Sequence, residues 1–178
     1  MSTLKTDTIT TVDGTGNITF SRPVTGNGGL GKILAVTQSV KTDTASTTST
    51  SAVATGLAVT TGTLSSGSKV LVQVSVHSGN STSEQRTHFT LWNDTTQLFL
   101  GDSGTGHRVS SWFRSMDAYS IYNISFMFLH DPSSTSAQTY TLKYHIAGTQ
   151  TAWINRANGE DSNSGRTASS ITAMEVGA

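Results

Sequence analysis

The stretch from Tyr119 to Gly148, YSIYNISFMFLHDPSSTSAQTYTLKYHIAG, decides the fold class. In its second half Tyr140, Leu142, Tyr144 and Ile146 share one face, with Thr141, Lys143 and His145 on the other. That is the period-two alternation of an antiparallel strand with one side on a core and one side wet. In the first half Tyr122, Ile124, Phe126 and Phe128 make one apolar face, while Ile121, Met127 and Leu129 put apolar groups on the opposite face too. This predicts a strand covered on both sides. Asp131-Pro132 and the Ser/Thr residues after it stop the strand and turn the chain, because proline donates nothing to a ladder and restricts its predecessor. The pair reads as a long hairpin at the centre of an all-β domain. The second face of its first strand is expected to meet either another sheet of the same chain or a neighbouring subunit.

Working outward, the strands come at short intervals. Lys69–Val76 places Val70, Val72, Val74 and Val76 on one face and belongs in the core. Ile33–Val40 and Ala52–Thr60 read as strands separated by a solvated loop, KTDTASTTSTS. Arg86–Trp92 and Gln97–Gly101 flank a hairpin loop at Asn93-Asp94-Thr95-Thr96. Further strands are expected at Arg108–Arg114, Ala152–Ile154 and Ser170–Val176, the last preceded by the polar loop ANGEDSNSGR. No segment has a helical period. About nine or ten strands without a helix imply an antiparallel β-sandwich, jelly roll or barrel.

Residues 1–31 read as a short N-terminal β arm, with β-like pieces around Ile9 and at Ile18–Phe20 on either side of the turn Asp13-Gly14-Thr15-Gly16-Asn17. Such an arm has no core of its own and is expected to order by packing on copies of itself or on a host structure. It ends in a glycine joint that spells G-x-G-x-x-G through Gly26, Gly28 and Gly31. A dinucleotide site needs a helix opening on the last glycine and an acidic residue about 20 positions on. Here the strand KILAVTQSV follows instead. The joint is a hinge between an arm, 1–31, and a jelly-roll domain, 32–178.

Composition narrows the function. About a third of the residues are Ser or Thr, and charged residues are 12%, half the usual ~25%. Eleven Lys and Arg balance eleven Asp and Glu, so no broad attraction to nucleic acid or an anionic membrane is built in. No apolar run approaches the ~20 residues of a membrane span, and MSTLKTDTIT lacks the apolar core of a signal peptide. Without cysteine there is no disulfide and no thiolate chemistry, so stability must come from the core, from subunit contacts, or from both.

Residues able to do chemistry are present but not in catalytic patterns. His77, His88, His107, His130 and His145 have neither H-x-H nor H-x-x-x-H spacing, which reads as solvent-facing strand or loop histidines. A ring of one histidine from three copies around a threefold axis is the open exception. Asp94, Asp102, Asp117, Asp131, Glu160 and Asp161 fall in turn contexts, where carboxylates cap and turn the backbone, and no G-x-S-x-G elbow marks a hydrolase serine. Asn17, Asn80, Asn93 and Asn123 begin N-x-[ST] patterns, which a chain this rich in Ser and Thr produces by chance. Trp92, beside Asn93-Asp94, Trp112, two residues before Arg114, and Trp153, before Asn155-Arg156, could form glycan platforms. Core or subunit interface is the competing reading. No catalytic, cofactor-binding or metal-binding residue is assigned, ligand-binding residues are left unassigned, and an enzyme is not expected.

The opening MSTLKTDTIT, the arm DGTGNITF, the loop KTDTASTTSTS and the closing ASSITAMEVGA together resemble virion structural proteins of tailed bacteriophages, especially fibre-like appendage proteins of marine phages. The globular part resembles a C1q/TNF-type jelly roll in its strand spacing, notably FTLWNDTTQLFL and the final strand. Where C1q domains close with an aromatic-rich strand, Ile171, Met174 and Val176 stand here. The resemblance implies a homotrimer, located in the virion, attached to other phage structural proteins through the arm. A trimer would also account for a strand with two apolar faces. The expected function is a trimeric tail-fibre or appendage knob. As a distal fibre it would present loops 77–85, 101–107 and 155–167 to a bacterial surface glycan or protein. The alternatives are a capsid or collar decoration protein and a stand-alone lectin-like module.

Overall fold

The computed structural model describes residues 32–105, 109–159 and 164–178. The N-terminal arm and its glycine joint, His107, Glu160 and Asp161 lie outside them. Eleven strands run through the described residues: β1 (Ile33–Lys41), β2 (Ala45–Thr47), β3 (Val53–Thr60), β4 (Lys69–Asn80), β5 (Gln85–Asn93), β6 (Thr96–Leu98), β7 (Trp112–Met116), β8 (Tyr122–His130), β9 (Thr139–Ile146), β10 (Ala152–Ile154) and β11 (Ser169–Val176).

They form two antiparallel sheets. In the first, β1, β11 and β4 lie side by side, β8 pairs with the other edge of β4, and β10 carries β2 alongside the end of β4. In the second, β3, β9 and β5 lie side by side, and β7 and β6 share the far edge of β5. Setting aside the three-residue strands β2, β6 and β10, eight strands remain. Counted in chain order, they run 1-8-3-6 in one sheet and 2-7-4-5 in the other. That interleaving is the double Greek key of a jelly roll. The core lies between the sheets: Val70, Val72, Val74, Val76, Ile124 and Ile171 from one side meet Leu57, Phe89, Leu91, Tyr140, Leu142, Tyr144 and Ile146 from the other, all essentially inaccessible to water.

The jelly roll stands as expected, but several details are corrected. β8 and β9 are not a hairpin. β8 pairs with β4 in one sheet and β9 with β3 and β5 in the other, so residues 131–138 cross the sandwich. Apolar alternation shows that both strands face the core, and says nothing about whether they face it from the same side. Ser133 turns the crossing at φ 49°, its N–H donating to Asp131 Oδ1 at 3.1 Å. The loop KTDTASTTSTS contains β2, which pairs with β10 and buries Thr47. The strand expected at Arg108–Arg114 is β7, which begins at Trp112.

β4 continues past Val76, because Ser78, Gly79 and Asn80 pair with β10. Glycine is required at position 79, where a Cβ would lie 2.5 Å from the Arg156 carbonyl oxygen and 2.9 Å from that of Ser120. In β3 the register slips between Ala54 and Ala58, and Gly56 takes φ 88°. Thr55 repairs the bulge, its hydroxyl donating to the Leu142 carbonyl at 2.7 Å and accepting the Leu57 N–H at 3.1 Å.

Candidate functional site

The residues that could do chemistry are dispersed. No group of three or more His, Asp or Glu side chains is placed to hold a metal ion among the described residues. His77 Nδ1 donates to the Ala168 carbonyl at 2.8 Å, which leaves Nε2 to accept from Asn123 Nδ2 at 3.2 Å. His88 and His145 are 5% and 8% exposed, so they are not the solvent-facing residues expected. They sit opposite one another on β5 and β9 and stack at 4.9 Å, with Phe113 of β7 on the far side of His88 at 5.4 Å. Strand order creates that ladder, and no sequence spacing signals it. His130 Nδ1 meets the Tyr140 hydroxyl at 2.9 Å, across from one sheet to the other.

Burial sets the titration of this region. It holds the His130 imidazole below the usual histidine range, against the opposing pull of the Asp131 carboxylate. Burial also pushes the Tyr140 hydroxyl well above the ordinary phenol value and that of Tyr144 up to about 12.

The three tryptophans do not converge. Trp92 and Trp112 lie in the second sheet and Trp153 in the first. The Trp92 ring carries the Lys143 ammonium 3.7 Å from its centroid, and its Nε1 donates to Thr90 Oγ1 at 2.9 Å. The side of β9 expected to be wet is therefore largely covered, by Lys143 over Trp92 and by His145 in the ring stack. Trp112 meets Phe89 edge-on at 6.1 Å and packs against the core. Trp153 lies under the Arg156 guanidinium at 4.8 Å.

Of the loops considered as presenting surfaces, only Ser81–Glu84 of 77–85 lies outside a strand. It is tied to the 155–159 segment through the Asn158 side-chain amide, which donates to the Ser81 carbonyl at 3.3 Å. Residues 101–105 are exposed. Asn155, at the start of 155–167, is fully buried and donates to the carbonyls of Lys41 and Asp43 at 2.8 and 3.0 Å, a structural junction and no receptor contact.

What does converge is an apolar surface. The outward side chains of the β1, β11, β4 and β8 sheet line up in cross-strand rows, because the register carries from strand to strand apart from one irregularity between Ile33 and Ala35. Val36 lies opposite Met174, Met174 opposite Leu71, and Leu71 opposite Leu129. This makes one apolar row across the full width of the sheet. On one side of it run Gln38, Thr172, Gln73 and Met127, and on the other Ile33, Val176 and Lys69. Val36 is 61% exposed, Met127 57% and Leu129 48%. Among the described residues nothing covers the second face of β8.

Lys69 is the charged residue in these rows; it sits at the rim, with its partner Asp131 beside it at 3.8 Å. Solvent-facing sheet surfaces normally carry polar and charged side chains, so a continuous apolar row with its charge confined to the rim has the make-up of an interface core. Met127 and Leu129 were legible as the off-face of β8; Val36, Leu71 and Met174 were missed. For Leu71 and Met174 the signal was present, each being apolar in the phase opposite to its strand's core residues, whereas β1 places no hydrophobic residue in the core against which Val36 could be phased.

Beside this face, β8 offers a second apolar feature. Phe99, at φ 52° and 42% exposed, stacks on Phe126 at 5.8 Å and on Phe128 at 5.3 Å along the open edge of the sandwich.

No protein-family model matches the chain, and no curated protein matches it.

Proposed function

We propose that this chain is a virion structural protein of a tailed bacteriophage, a trimeric knob of a tail fibre or related appendage, attached to the particle through residues 1–31. The apolar row Val36–Met174–Leu71–Leu129 carries the oligomeric part of this reading. Each such side chain removed from water contributes on the order of 1 kcal/mol, and three copies repeat the gain. Association costs several kcal/mol of lost rotation and translation, so the row must be buried together to hold an assembly.

An apolar face and an apolar edge on the same strand suit a heterologous contact, in which the edge of one copy meets the face of the next and the ring closes after three. The strand order also supports the resemblance of the globular part to C1q/TNF-type jelly rolls, which form trimers. Placement in the virion rests on the resemblance of the arm and the closing strand to phage appendage proteins. A free lectin-like module has less support, since Lys143 occupies the face of Trp92 and Trp112 packs inward. A capsid or collar decoration would use the same knob.

Gold-labelled antibody raised against residues 32–178 tests the placement. Labelling at tail appendages of intact particles is expected. Labelling over the capsid would move the assignment to a decoration protein, and unlabelled particles would overturn the virion reading.

A further inference from the structure

Three segments meet at the end of the sandwich that β4 reaches: 81–84 after β4 itself, 117–121 between β7 and β8, and 156–159 after β10. Gly79 brings two of them together. The space beside it is closed by the carbonyl oxygens of Arg156 and Ser120, which a Cβ would meet at 2.5 and 2.9 Å. The third segment is tied to both. The Ser83 hydroxyl accepts the Ala118 N–H at 3.1 Å, and the Asn158 amide donates to the Ser81 carbonyl. At the base of 117–121 the Tyr122 hydroxyl donates to Asp117 Oδ2 at 2.6 Å, under an Arg114 guanidinium 4.1 Å from the ring centre.

On this fixed base Tyr119 is 75% exposed and holds φ at 64°, a left-handed conformation that strains a tyrosine. Burial of the ring does not offset that strain. Glu84, on the neighbouring segment, takes φ 62° as well.

We propose that this end of the domain is a carbohydrate-binding tip, with Tyr119 as the platform on which a pyranose ring stacks. A sugar presents an apolar C–H face and a rim of hydroxyls, so its site needs one flat exposed ring with polar groups in the same cluster. Tyr119 is the one exposed large apolar side chain of the three segments. The exposed polar side chains of the cluster include Ser83, Glu84 and Asp117. With Oδ2 engaged by Tyr122, Asp117 has Oδ1 left to accept from a sugar hydroxyl. A protein partner would call for a contiguous apolar patch, which these segments do not present.

The position suits a distal tip. Ile33, where the chain enters the domain, shares a row with Val176 and Lys69 at the start of β4. β4 has 12 residues, so its far end lies roughly 35 Å away at ~3.3 Å per residue. The site therefore sits at the end opposite the point of attachment. This deepens the appendage reading and rests on it for its biological role, while the binding itself requires neither a particle nor an oligomer.

The test is to apply the fluorescently labelled full chain to an array of defined oligosaccharides built from hexoses, N-acetylhexosamines and deoxyhexoses. Binding to a subset of them is expected, about ten-fold weaker or worse in Tyr119→Ala and kept in Tyr119→Phe, which retains the ring. Tyr119→Gly separates recognition from structure. Glycine adopts φ 64° freely, so this variant is expected to unfold at the same or a higher denaturant concentration while losing the same binding. An array with no bound glycan would overturn the proposal, as would undiminished binding by Tyr119→Ala or Tyr119→Gly. So would attachment to host cells that survives periodate, which cleaves vicinal diols, and is lost after protease treatment, the mark of a protein receptor. The array involves no particle, so a failure of the virion placement is read separately, from the gold label.

Discussion

Gly79 and Asn155 show how tightly single residues are specified at one end of the sandwich. Gly79 lies directly beneath the Arg156 carbonyl, so Gly79→Ala is expected to force the 156–157 segment away and cost about 1–3 kcal/mol, read from the midpoint of denaturant unfolding. Asn155 holds a left-handed φ of 62° while bridging the Lys41 and Asp43 carbonyls and accepting from the Ser169 hydroxyl. Asn155→Ala removes all three bonds, the buried one to the Lys41 carbonyl among them, and is expected to cost on the order of 3 kcal/mol in the same measurement.

Glu175 makes a pH-dependent contribution of its own. The backbone N–H of Ser65 donates to its carboxylate at 2.7 Å and holds it below the usual carboxylate range, at the turn where Gly67 takes φ 77°. A carboxyl that gives up its proton more readily when folded adds stability above its unfolded value, and that stability fades as pH falls through the folded value. Unfolding midpoints measured from neutral to strongly acid pH are expected to fall less steeply for Glu175→Gln than for the unmodified chain.

At the level of elements, the alternation in β4 and β9 was enough to name their core faces, because a half-buried strand must show its apolar side chains every second residue. It was not enough to name their neighbours. Tyr122–His130 and Thr139–Ile146 are consecutive and both face the core, which suits a hairpin and a sheet-to-sheet crossing equally well; the distant pairing partners β4, β3 and β5 decide between them. β2 was hidden because three residues are too few for a period, and its order comes from β10. The candidate face was half legible for the same reason. Met127 and Leu129 stood out on their own strand, but the row they complete exists only once Leu71, Met174 and Val36 are brought into register.

Phe99 tests the importance of the edge. Phe99→Ala uncovers Phe126 and Phe128 and is expected to cost about 1–2 kcal/mol, with increased binding of an apolar dye as the accompanying signal.

For the whole molecule, the two sheets differ in what they show to water. The second carries on its outer side the Phe113, His88 and His145 stack, in which Phe113 alone stays exposed, and the Lys143–Trp92 pair. The first leaves an apolar row uncovered. A chain without a disulfide, with few charges and with such a face is expected to be stable as an assembly. Because Val36 and Leu129 are already exposed in the single chain, a carboxylate at each should disturb the fold little while placing unpaired charge in any interface built on this face. The decisive measurement is the molar mass in solution by light scattering, for the unmodified chain and for the double variant Val36→Glu/Leu129→Glu. Three times the chain mass of 18.7 kDa is expected for the first, and a folded single chain for the second. A single-chain mass for the unmodified protein, or a trimer unchanged by both carboxylates, would contradict the assignment of this face as the interface.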